Sequence, residues 1–192
     1  LNPCIIDVEA FALQNAFEVN YDTGDDNIAL IDIGASKTSL NILKANNSVF
    51  MRDVSLGCSQ INQKIISLVD CSFDEAENLK FGDNPDRLSA EDLKEIVSSV
   101  VADWCTEIRR ALDFFYSTYP DDQIKRIILS GGGASIDEFR ELLGVEASAE
   151  VETINPFKGI YVNDSFDSDF IKQIAPQAAI TMGLALRKVN DK

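Results

Sequence analysis

Apolar residues along this chain switch between a strand-like and a helix-like rhythm, and the switches predict the order of its elements. Residues 4–17 read as a helix opened by Asp7 as N-cap, with Ala10, Ala12 and Ala16 as small positions and Phe11 and Leu13 as larger ones. A polar connection, 22–27, leads into three short apolar runs at 28–33, 38–45 and 48–56. Asn46-Asn47 tolerates positive φ and predicts a hairpin between the last two. Helical patterns follow at 58–70 and after the capping box Ser72-Phe73-Asp74-Glu75. The longest covers 89–118, where Leu93, Ile96, Val97, Val100, Val101, Trp104, Ile108, Ala111, Leu112 and Phe115 recur at threes and fours, a stripe broad enough for core. A strand at 124–130, a helix opened by a second box Ser135-Ile136-Asp137-Glu138 and ending near Gly144, a strand at 149–154 and a small-residue helix at 175–189 complete the chain, with 155–170 irregular. Strands followed by helices, with one early antiparallel meander, predict an α/β fold with a mixed sheet flanked by helices.

Two of those strands run into tight glycine turns. Ile28-Ala29-Leu30-Ile31-Asp32-Ile33 opens into Gly34-Ala35-Ser36-Lys37-Thr38, and about a hundred residues later Ile127-Ile128-Leu129-Ser130 opens into Gly131-Gly132-Gly133. Small residues after a strand leave backbone N–H groups to face an anion such as a phosphate. Asp32 stands where a carboxylate can hold a hydrated Mg²⁺, an ion that keeps several waters and binds through one or two carboxylates plus substrate phosphates. Neither loop is a Walker sequence and neither matches Gly-x-Gly-x-x-Gly. Each loop alone also fits ordinary turn chemistry, a hairpin end or a flexible strand-to-helix connection.

Composition narrows the function. With 192 residues, 45% of them hydrophobic, the chain can bury a sizeable core. A formal charge of −15 repels nucleic-acid backbones and anionic lipid, so neither is an expected partner; a single nucleotide held by backbone donors, one lysine and Mg²⁺ needs no basic face. No apolar run reaches membrane-spanning length and no signal-peptide pattern opens the chain, so a cytoplasmic protein without membrane insertion is expected. Cys4, Cys58, Cys71 and Cys105 lack Cys-x-x-Cys spacing and there is no histidine, so they read as buried, reduced thiols rather than metal ligands. The lack of histidine also removes the commonest general base. The opening Leu1-Asn2-Pro3 reads as the middle of a structured segment, and a truncated chain is expected.

The ordered set of motifs resembles the actin-like ATPase superfamily and, within it, the PilM family of type IV pilus assembly proteins. The pieces that carry the resemblance are Ile6 to Leu13, the Asp32 loop, Met51-Arg52-Asp53, Ala76-Glu77-Asn78-Leu79-Lys80, Leu129 to Ala134, Asn155-Pro156-Phe157 and Ala178 to Arg187. The resemblance implies the ribonuclease H-like second half of an actin-like fold. Residues 1–20 would connect to the other half, 21–163 would form the domain with a small helical subdomain within 57–120, and 164–192 would return toward the first half, with Gly183 facing Ala12 or Ala16. It further implies ATP and Mg²⁺ as cofactors. Asp32 would orient the metal's waters, N–H groups of Gly34, Ala35 and Ser36 would meet the phosphates, Thr38 would support the turn and Lys37 would reach a phosphate. Glu77 and Lys80 would contact ribose and adenine, Gly131, Gly132 and Gly133 would allow close approach, and Ser135 would lie beside the nucleotide, more as N-cap than as ligand. An intrahelical ion pair is the alternative for Glu77 and Lys80. The implied function is a nucleotide-dependent scaffold at the inner face of the inner membrane, binding the cytoplasmic tail of PilN and other inner-membrane pilus proteins, with weak or absent ATP hydrolysis. A scaffold of the FtsA kind or a small-molecule kinase of the same superfamily are the alternatives.

Overall fold

The computed structural model describes residues 5–22, 24, 26–163 and 165–188; Cys4 and the expected helix end at residue 189 lie outside them. In chain order the elements are α1 (Glu9–Asn20), β1 (Asn27–Ile33), β2 (Thr38–Lys44), β3 (Asn47–Val54), α2 (Ser59–Val69), α3 (Phe73–Lys80), α4 (Ala90–Thr118), β4 (Ile124–Ser130), a 3₁₀ turn (Gly132–Ser135), α5 (Asp137–Ala147), β5 (Glu150–Thr153) and α6 (Ser168–Ala185). The strands form one sheet in the order β3-β2-β1-β4-β5. β1 pairs antiparallel with β2 and β2 with β3, whereas β4 runs parallel to both β1 and β5. The mixed sheet is the expected one.

β1 lies inside the sheet and is buried on both faces, which is why it reads as a continuous apolar run. Ala29, Ile31 and Ile33 point into a large core with α2 to α5, built around Trp104, Phe115 and Phe139. Ile28 and Leu30 point the other way, onto Leu13 and Phe17 of α1 and Ala179 of α6. On that second face Gly183 packs so closely on α1 that a Cβ there would sit 1.7 Å from the Ala12 carbonyl oxygen.

Four local expectations are corrected. Asp7 does not cap α1, whose N-cap is Val8 with no side-chain cap bond; its carboxylate, with the side chain 4% exposed, instead meets Arg187 Nε at 2.7 Å. The β2–β3 hairpin forms, but Ala45 and Asn46 take the positive φ values, 47° and 62°. A register shift between Ile42 and Leu43 pairs Lys44 with Asn47 and moves the turn by one residue. Ser135 does not cap α5: it ends the 3₁₀ turn, and the N-cap is Ile136. The last helix starts at Ser168, where Asp167 accepts from the N–H groups of Asp169 and Phe170. Pro176, a residue that suits a first turn, is therefore in the helix interior. The capping box of Ser72 and Glu75 is present as read.

Candidate functional site

The parallel pairing of β1 and β4 places Asp32 opposite Ser130, and Ser130 Oγ donates to Asp32 Oδ1 at 2.7 Å. The two glycine loops therefore leave the sheet side by side, at the carboxyl ends of adjacent parallel strands, where open α/β sheets hold their ligands. Burial pushes the Asp32 carboxyl above the ordinary carboxylate range, with Glu9 adding to the rise, and Ser130 and Lys37 pulling against it.

The loops interlock through positions that only glycine fills without displacement. Gly131 has φ +82°, and a Cβ on it would lie 2.4 Å from the Ile33 carbonyl oxygen; one on Gly133 would meet Ile33 Cγ2 at 2.4 Å and Cys58 Sγ at 3.3 Å. A Cβ on Gly57 would be 2.6 Å from the carbonyl oxygens of both Gly34 and Ala35. Those carbonyls accept from Cys58 N–H at 3.0 Å and Ser59 N–H at 2.8 Å, which ties the first loop to the start of α2. Gly34 N–H donates to Lys37 O and Gly131 N–H to Pro176 O. The amides of Ala35 and Ser36 make no turn or loop bond of this kind among the described residues.

The remaining loop residues are anchored by side chains. Thr38 is buried and its hydroxyl donates to Leu56 O at 3.1 Å. Lys37 Nζ lies 2.5 Å from Glu9 Oε2 and 3.5 Å from Asp53 Oδ2, and the bond to Glu9 is the main cause of its raised pKa. Glu9, in the first turn of α1, is a site neighbour that sequence reasoning did not single out. Its partner is 28 residues away, so only the docking of α1 beside the loop reveals it.

Glu77 and Lys80 form the intrahelical ion pair on α3, with Lys80 Nζ at 2.7 Å from both carboxylate oxygens. Asn62 Nδ2 of α2 also donates to Glu77 Oε2, at 2.6 Å; these bonds, Lys80's first, hold the Glu77 carboxyl below its ordinary pKa. Cys58 is half-buried at the start of α2. Burial raises its thiol pKa, and it senses the charges of Lys80, Glu77 and Asp32 together. Gly132 has an open approach, with nothing within 4 Å of a Cβ built there, and Ser135 is exposed.

Among the described residues no cluster of three His, Cys, Asp or Glu side chains could hold a metal. A lone carboxylate such as Asp32 does not make a protein-caged ion site and suits only an ion of the Mg²⁺ kind that keeps most of its water. A separate cleft of about 600 Å³ lies between α2 and α4, lined by Gln60, Lys64, Leu68, Asp92, Glu95 and Ile96 among others; none of the loop residues reaches it. No helix among the described residues is long and apolar enough to cross a membrane.

A ribonuclease H-like mixed sheet with two loops meeting at the ends of β1 and β4 defines the class: this is an actin-like ATPase fold. Solved structures with that fold overlay it. A chain of a PilM–PilN type IV pilus biogenesis complex aligns with TM-score 0.84 and 25% identity, over 100% of this chain and 55% of that one. The ethanolamine utilization protein EutJ from Carboxydothermus hydrogenoformans gives TM-score 0.63 at 18% identity over 93% and 53%. MreB 5 of Spiroplasma citri, solved bound to AMPPNP, gives 0.61 at 14% over 93% and 56%. This chain thus spans about half the length of each. A sequence profile of the family "Type IV pilus assembly protein PilM" matches residues 1–189, and the chain belongs to that family.

Proposed function

We propose that this chain forms one wall of an ATP site in an actin-like scaffold of type IV pilus assembly. The observation that carries the reading is the bond between Ser130 and Asp32, residues 98 apart, which joins two glycine loops into a single surface. In this reading the amides of Ala35 and Ser36 receive phosphate oxygens. Gly34, Gly131 and Gly133 supply the close packing that holds the loops in place, and open Gly132 lets the ligand approach. Thr38 braces the first turn and Ser135 borders the second loop. Asp32 orients water on Mg²⁺, and that ion, when bound, neutralises charge on the triphosphate. Lys37 reaches phosphate once it leaves Glu9, while Glu77 and Lys80 take the nucleoside.

The bound nucleotide organises the fold and presents a surface to inner-membrane pilus proteins, the cytoplasmic tail of PilN among them, from the cytoplasmic face of the inner membrane. The likeness to a chain solved as part of a PilM–PilN complex supports that partner. Hydrolysis is weak or absent, because the chain has no histidine to serve as base and supplies only one wall of the cleft that would have to enclose the γ-phosphate. Calorimetry of ATP with the intact protein, with and without Mg²⁺, tests the reading. Mg²⁺-dependent binding that Asp32→Ala abolishes is expected; equal binding by both proteins removes the metal role, and no binding by either removes the site.

A further inference from the structure

Among the described residues five polar ones are buried as whole residues: Thr38, Ser39, Asn41, Asn62 and Ser130. Thr38 donates to Leu56 O, Ser39 to Asp53, and Ser130 to Asp32. Asn41 uses both ends of its amide, donating to Ala10 O and accepting from Ser48. Asn62 differs: at 1% exposure its Nδ2 is bonded, but its Oδ1 is buried with no donor among the described residues. An unmet buried acceptor is a cost, and a buried group of this kind calls for an explanation. Asn62 stands one turn from buried Ile65 and half-buried Ile66 on α2, both part of the apolar core that also takes Ala76 and Leu79 of α3.

What the amide does achieve is the hold on Glu77. An ionised carboxylate offers about four acceptor positions. Glu77 Oε2 takes Asn62 Nδ2 and Lys80 Nζ, while Oε1 takes Lys80 alone. With Oε2 pinned from the buried side, the second acceptor position of Oε1 is left on a side chain that is 43% exposed. We infer that Asn62 is a positioning residue that fixes Glu77 so that Oε1 accepts a sugar hydroxyl, and so makes the site selective for ribonucleotides over deoxyribonucleotides. The inference rests on the nucleotide reading above and names the residue that sets its sugar preference.

The test compares calorimetric Kd values of the intact protein for ATP, 2′-deoxy-ATP and 3′-deoxy-ATP, in wild type, Asn62→Leu and Asn62→Asp. One charge-assisted hydrogen bond gives wild type a preference of about tenfold for ATP over at least one deoxy analogue. Asn62→Leu loses the donor, brings that ratio close to one and melts at the same temperature as wild type or higher, whereas Asn62→Asp, whose buried carboxyl keeps a proton beside Glu77 and donates it, retains the preference. The inference is overturned if wild type shows no sugar preference, if Asn62→Leu keeps it, or if Asn62→Leu is markedly less stable, because the amide would then be structural. Absence of ATP binding in wild type brings down the nucleotide reading together with this one, whereas ATP binding with an unaltered ratio brings down this one alone.

Discussion

At the glycine loops the geometry is carried by main chain: Gly131 and Gly133 lie against Ile33, and Gly57 lies under the carbonyls of Gly34 and Ala35. Between α2 and α3 it is carried by side chains, Asn62 holding Glu77 and Glu77 holding Lys80. The first arrangement leaves no room for an added methyl group. The second can be changed one group at a time, so the two regions should respond to substitution on different scales and through different observables.

The sharpest break in that comparison is Gly131→Val. A β-branched residue forced to positive φ, with its Cβ against the Ile33 backbone, combines strain and overpacking, and a loss of about 3 kcal/mol is expected in denaturant unfolding. A loss below about 1 kcal/mol would mean that the loop yields as readily as the side chains between α2 and α3.

Asp32→Asn comes next, and it separates binding from folding. The side chain still accepts from Ser130, and a carboxyl whose charged form burial disfavours has been removed. Stability at neutral pH is therefore expected to hold or rise, while Mg²⁺-dependent ATP affinity falls at least tenfold, about 1.4 kcal/mol. A pH series makes the same point with a sign. The folded state keeps the Asp32 proton to a higher pH than the unfolded state, so this group's contribution to stability falls as pH rises from the ordinary value of 3.8 through the raised pKa. Mg²⁺-nucleotide affinity rises over the same window, and Asp32→Asn flattens both slopes. Glu77 has the opposite sign, because its pKa is lowered and its stabilisation is lost as pH falls through that lowered value.

Glu77→Gln is expected to have a smaller effect on the fold, roughly 0.2–0.5 kcal/mol for a half-exposed intrahelical pair, with a several-fold loss of ATP affinity by calorimetry. The smallest change expected is Lys37→Met. Its partners Glu9 and Asp53 are exposed, so the melting temperature should scarcely move. An effect on stability as large as that of Gly131→Val would show that the first loop, too, is held by side chains.

The parts legible in the sequence were those written locally. The apolar run of β1, the glycine loops, the Ser72–Glu75 box and the stripe of α4 each concern residues a few positions apart, and each is present. One misreading came where a distant group competes with a local one, and the others where local backbone geometry departs from the simplest pattern. Arg187 draws the Asp7 carboxylate, and the register shift in β3 moves the hairpin turn onto Ala45 and Asn46. The 3₁₀ turn absorbs Ser135 before α5 begins. Glu9, Cys58 and Asn62 carried no sequence signal, since what sets them apart is the neighbour each one meets.

By itself, then, the chain determined which stretches bury, which bend and where backbone amides escape a ladder, because period, glycine and proline act through the nearest few bonds. The meeting of Asp32 with Ser130, of Lys37 with Glu9 and of Glu77 with Asn62 was decided by tertiary structure alone. Alternation tells a strand which faces to bury but not which strand lies beside it, and the parallel seating of β4 against β1 is what turns two separate bends into one surface.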